Sequence, residues 1–172
     1  MKKLIGISCL LLMGLSLQVG AYDENELKKV LETRDCPNCD LSEANLEKAN
    51  LAEANLWGAH LIWAELWGAN PTQANLTKAN LKGAQLYGVN LIAAKLTKVN
   101  LTKANLIDAS LTKANLSGVN LEWANMTRTN LSGANLTGAN LEKVDNFDTA
   151  NTTNTKFCRT IMPDGSMNNS GC

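Results

Sequence analysis

The sequence predicts an all-β solenoid whose N-terminal end is closed by a short α-helix. Three observations predict it. A five-residue period runs from Asp40 to Lys143 without an insertion. Taking Leu41 as a centre and counting in fives to Leu141, 19 of the 21 centres are Leu, and the others are Pro71 and Met126. Two residues before each centre stands Ala in 16 cases, and directly before it Asn in 15. A period of five matches neither the 3.6 of a helix nor the 2 of a strand. A helix would smear these leucines around its surface, and a strand would send alternate ones to opposite faces. A coil that bends once per repeat buries them all, with small Ala set between large Leu. Asn suits the bend because its side chain bonds nearby backbone and tolerates unusual dihedrals. Self-similarity at a fixed period is the mark of a solenoid.

The elements follow in chain order. "MKKLIGISCLLLMGLSLQVGA" has two lysines, an apolar run from Leu4 to Leu17 and small residues at Gly20 and Ala21. That is the layout of a secretory signal cut after Ala21, and the run is too short and wrongly flanked for a membrane span. Cys9 lies too early, inside the apolar run, to be a lipidated cysteine. Residues 22–38 read as a capping helix and a cysteine turn. Asp23 and Glu26 have capping-box spacing, and Leu27, Val30 and Leu31 fall on one helical face, which predicts a helix from about Glu24 to Thr33. Residues 39–159 carry the repeats. After Val144 the frame moves by one residue, so that Phe147, Thr152 and Phe157 become centres. Residues 160–172 leave the pattern as a C-terminal cap, in which Pro163-Asp164-Gly165 is a turn and Ile161 and Met162 are placed to cover the last coil.

"ANLEKANLAEANLWGA" and "ANLTKANLKGA" resemble the pentapeptide repeat family, whose pattern is A(D/N)LXX, and the resemblance spans residues 39–143. It implies a right-handed quadrilateral β-helix with four repeats per coil. About six coils spaced about 4.8 Å apart then make a stack roughly 30 Å long. On that geometry Cys39 and Cys158 lie about 29 Å apart, far beyond the ~7 Å that a disulfide tolerates between α-carbons. Export favours disulfides, and of the three connectivities open to Cys36, Cys39, Cys158 and Cys172 only Cys36–Cys39 with Cys158–Cys172 survives. The same distance rules out one zinc site made from all four. A redox role for "CPNC" needs its first Cys at a helix N-terminus, whereas this pair follows the helix.

No catalytic constellation stands out. His60 is the single histidine and replaces an Asn at an outward bend, so neither a Ser-His-Asp triad nor a histidine metal site has support. Glu43 with Glu47 and Glu53 with Glu65 lie on the exposed pattern and lack the cleft that a glycosidase pair requires. No Gly-rich phosphate loop is present. The expectation is therefore a protein that is not an enzyme and has no cofactor. Without its signal the chain has 14 basic and 16 acidic residues, a net charge of −2, which indicates no nucleic-acid-binding surface. The best-known relatives of the resembled family imitate DNA and protect gyrase from quinolones. Those are cytoplasmic and strongly acidic, so that role does not carry over.

The tryptophans carry the functional expectation. Trp57, Trp63 and Trp67 occupy variable, outward positions in "ANLWGAHLIWAELWGAN". With four repeats per coil, Trp67, Tyr87 and Ile107 form one exposed column, Ile62 and Trp63 lie on the neighbouring face, and Trp57 lies on the flank. Contiguous apolar patches tend to mark interaction sites, and Trp and Tyr are frequent anchors. The expected protein is an exported scaffold, periplasmic or secreted, or lumenal in a thylakoid. It presents the strip to a protein partner or to a second copy. A module that binds carbohydrate or cell wall is the alternative, since aromatic ladders stack on sugar rings.

Overall fold

The computed structural model describes residues 22–172; the signal sequence expected at 1–21 lies outside the described residues. The repeats wind into a stack of coils in which each repeat is bridged in parallel to the one 20 residues away, from Asp35–Asn55 and Asp40–His60 through to Asn125–Asp145. A 20-residue step is four repeats per coil. Centres and Ala positions form one continuous core: Leu101, Leu106, Leu111 and Leu116 are fully buried, and so, to within one per cent, are Ala104, Ala109 and Ala114.

The stack contains bridges where a β-helix suggests strands. One residue per repeat pairs with its neighbours, and the only multi-residue strands among the described residues are β1 (Thr160–Ile161) and β2 (Met167–Asn168). The cause is the turn. In the repeat at 100–104, the Ala104 amide closes a turn onto the Leu101 carbonyl at 3.0 Å. Lys103, the third turn residue, has φ +60°, as a type II turn requires. All 21 such positions, from Glu43 to Lys143, have positive φ. The turn consumes four residues of every five, and only the Asn position remains extended.

The hydrogen bonds of this repeat explain why Asn recurs. The Asn100 amide donates to Ala79 on the preceding coil at 3.1 Å, and Leu101 and Lys103 donate to Asn120 and Glu122 on the next at 2.7 and 2.9 Å. Ala104 makes the turn bond, which leaves the Thr102 amide. It donates to Asn100 Oδ1 at 3.1 Å. A backbone amide left unpaired inside a packed stack is costly, and Asn supplies the fifth acceptor locally. Pro71 has no amide to give. The Asn70–Asn90 bridge is missing from the ladder, while the Asn90 and Gln73 amides still find Ala69 and Ile92, so the irregularity that Pro71 introduces is confined to one bond.

Helix α1 spans Glu24–Thr33, with Asp23 accepting from the Asn25 amide as N-cap. Glu26 does not close a capping box. Its carboxylate accepts from the Asp40 amide at 2.5 Å, and the Asp23 amide donates to the Asp40 carbonyl at 3.3 Å. These are the two bonds that a preceding coil would make with Asp40, so α1 replaces a coil along that edge. Val30 is buried, Leu27 packs partly against the core, and Leu31, expected on the same face, is 49% exposed. Glu26, Leu27 and Val30 fill the line of contact and leave Leu31 at its margin.

Cys36 occupies a centre and Cys39 an Ala position, both inside the first coil and joined by a disulfide. The ladder thus begins at Asp35, one repeat before the expected start at residue 39. At the other end the bridge step grows from 20 to 21 at Asn130–Asn151. The extra residue is taken up by Asn146, left-handed at φ +55°, and a 3-10 turn at Phe147–Thr149. Phe147 and Phe157 meet edge to face at 6.4 Å, and Met162 also packs, partly buried, against the core. Buried Thr129 and Thr160 donate their hydroxyls to Leu106 and Leu136 carbonyls at 2.8 and 2.7 Å. β1 continues the ladder beside Asn140 and pairs antiparallel with β2, and Cys158–Cys172 ties down the tail.

Candidate interaction surface

The stretch from Trp57 to Trp67 covers about half of one 20-residue coil. Its outward residues are Trp57, Gly58, His60, Ile62, Trp63, Glu65 and Trp67, and the intervening Ala59, Leu61, Ala64 and Leu66 are buried. Trp67, Tyr87 and Ile107 fall in one column. The Gly68 and Gly88 amides bond the Tyr87 and Ile107 carbonyls at 2.9 Å, which sets that register. Trp67 is 39% and Tyr87 48% exposed, whereas Ile107 and Ile62 are half-buried and less exposed than either.

The four tryptophans are not equivalent. Lys48 reaches from the preceding coil to within 4.7 Å of the Trp67 ring centroid. Lys78 stands 5.3 Å from Trp57, and Lys143 4.9 Å from Trp123. Each pair joins neighbouring coils by a cation–π contact, worth about 0.5–1 kcal/mol at an exposed site. The sequence pattern does not reveal these pairs because the lysines come from repeats 19 to 21 residues away. Trp63, 50% exposed, is held differently. Its six-membered ring lies across Gly83 on the next coil, in the space a Cβ there would fill. Gly83 has φ +70°.

Gly83→Ala is therefore expected to cost about 1–2 kcal/mol from the left-handed backbone alone, with Trp63 displaced besides. Thermal melting reads the first effect and Trp emission the second. Trp67→Ala loses only an exposed ring and one cation–π contact, and is expected to shift stability by less than about 1 kcal/mol.

In the column beside Trp67, which also holds Gly68 and Gly88, Asp108 and Arg128 on successive coils form a two-pronged ion pair, both contacts 2.7 Å. The Arg128 guanidinium, and after it the Tyr87 hydroxyl, hold the Asp108 carboxyl below its ordinary range. Near the helix, the Ser42 hydroxyl and amide, and more weakly His60, do the same for Asp40. Both carboxyls have folded values below their unfolded ones. They contribute stability above the unfolded value of about 3.9, and this is lost as pH falls through the folded value. A slight fall in melting temperature is thus expected below about pH 4, smaller in Asp108→Asn than in the parent protein.

The family model for pentapeptide repeats matches in eight copies, over residues 39–70, 58–91, 84–122 and 114–145. No curated protein matched the sequence. Among solved structures, a trypsin-treated form of QnrB1, a plasmid-mediated fluoroquinolone resistance protein, is 21% identical. It aligns over 80% of this chain and 78% of its own, with a TM-score of 0.64. At that identity the likeness is one of fold. HetL, involved in heterocyst differentiation regulation in the cyanobacterium Nostoc sp. Strain PCC 7120, is 30% identical over 78% of this chain and 76% of its own, with a TM-score of 0.30. Rfr23 from the cyanobacterium Cyanothece 51142 is 28% identical over 76% of this chain and 92% of its own, with a TM-score of 0.39. The repeat model, the 20-residue coil and the buried Leu and Ala positions together establish that the chain belongs to the pentapeptide repeat family.

Proposed function

We propose that this protein is an exported, non-enzymatic scaffold, a right-handed quadrilateral β-helix that docks a partner protein on one aromatic coil. The observation that carries the reading is the outward row of residues 57–67: three tryptophans on one coil, of which Trp63 lies on Gly83 with no lysine over it among the described residues. Aromatic side chains bring large rigid area at low entropic cost, which is why they anchor interfaces. Within the strip Trp63 is the leading residue, since the Trp67 ring already faces Lys48. The compartment follows from the charged and apolar layout of residues 1–21, with the periplasm or the exterior as destination, and two disulfides fit an oxidising environment.

In-cell photocrosslinking from position 63, with residues 1–21 present, tests the reading. A discrete adduct with a second protein is the expected result. A band at twice the monomer mass makes the strip a self-association face, and retention on cell wall that Trp63→Ala abolishes makes it a glycan surface. No adduct from positions 63 and 67 alike overturns the reading.

A further inference from the structure

Charge is segregated along the stack. Residues 22–65 hold ten acids and four bases, a net −6, while residues 66–172 hold six acids and ten bases, a net +4. Trp63 stands at the end of this acidic N-terminal stretch. Glu65 is the next outward residue on the same coil, between Trp63 and Trp67. Glu43 lies one coil below in Trp63's own column, its amide bonded to the Ile62 carbonyl at 2.8 Å. Neither carboxylate enters an ion pair among the described residues.

The molecule itself demonstrates what its tryptophans bind. Three of the four carry a lysine ammonium at 4.7–5.3 Å from the ring. Among the described residues the fourth, Trp63, has no ammonium over its ring, and Glu65 on its own coil and Glu43 in its column on the preceding coil enter no ion pair. Lys82, its neighbour on the next coil, donates no ammonium to the ring. An aromatic face next to an unpaired carboxylate attracts a cation twice over, through the ring quadrupole and through charge. We infer that Trp63, with Glu65 and Glu43, is the seat of a lysine or arginine side chain presented by a basic segment of a partner protein. The inference rests on the docking reading above and names its chemistry. Gly83 takes part as the residue that lets the ring lie flat with its outer face free.

The test is a titration of the full chain, lacking only the signal, with tetralysine amide at low salt, followed by Trp emission. Saturable binding is expected, weakened about threefold to thirtyfold in Trp63→Ala and several-fold in Glu65→Gln, and largely kept in Trp63→Phe. Trp123→Ala, whose ring Lys143 already faces, should bind as the parent does. The ε-acetylated peptide should not bind. Equal affinity in Trp63→Ala and the parent means diffuse attraction to the acidic stretch 22–65 and overturns the inference, as does binding of the acetylated peptide. Sedimentation as a dimer that Trp63→Ala dissociates places the cation on a second copy and overturns a separate partner. A crosslinked partner without tetralysine binding leaves the docking reading standing and removes the cation from it. Circular dichroism melts of each variant separate lost binding from lost fold.

Discussion

Leu101→Ala is expected to lower the unfolding free energy by about 2–5 kcal/mol, read as a shift of the denaturant midpoint with little change in slope. Leu101 is fully buried at the middle of the stack, with leucines at 81 and 121 directly below and above it. The cost has two parts. Removing the side chain forfeits its transfer from water, about 1.5–3 kcal/mol for a buried Leu. The remainder is the cavity, which depends on how far the site can collapse. Collapse is resisted here because the Leu101, Thr102, Lys103 and Ala104 amides, together with Asn100, are all committed to fixed partners. Neighbouring coils cannot approach without breaking ladder bonds, so the upper part of the range is expected. The same substitution at Leu46 should cost less, since the first coil has a neighbour on one side only along much of its edge.

Much of the fold is legible in the sequence because one rule is repeated. The five-residue period identifies which residues point inward, and the Leu and Ala positions are buried as the pattern requires. Asp23 marks the start of α1 because an N-cap is a local device. The spacing of Glu26 suggests half of a capping box, but its partner, the Asp40 amide, lies 14 residues on and becomes available only once the first coil exists. Cys36 hides its place inside the repeats because Cys stands where Leu would mark a centre. The candidate surface is less legible. That Trp57, Trp63 and Trp67 point outward follows from the period. That Trp67 meets Lys48 while Trp63 lies on Gly83 depends on side-chain reach between coils, and a five-residue pattern carries no information about rotamers.

Reduction of Cys158–Cys172 is expected to act in two stages. The bridge closes a segment with a sequence separation of 14, and a loop of about 15 residues contributes about 3 kcal/mol in the chain-entropy view. That figure applies only if the tail stays docked until the whole stack unfolds. The tail is held by the short β1–β2 pair, by the Gly171 amide on the Phe157 carbonyl at 2.6 Å, and by the Arg159 amide on Asn169 Oδ1 at 3.0 Å. Once reduced, so few contacts permit local opening well below the global unfolding free energy. Amide exchange is therefore expected to rise first in residues 167–172, while residues 81–121 stay protected. The melting temperature should fall by less than the full loop term implies. Gly171→Ala should mimic this with the disulfide intact, because a Cβ at 171 would come within 2.9 Å of the Phe157 backbone nitrogen and oxygen. If reduction instead lowers protection evenly along the chain, the tail and the solenoid unfold as one unit, and the last coil depends on its disulfide as strongly as the middle coils depend on their leucines.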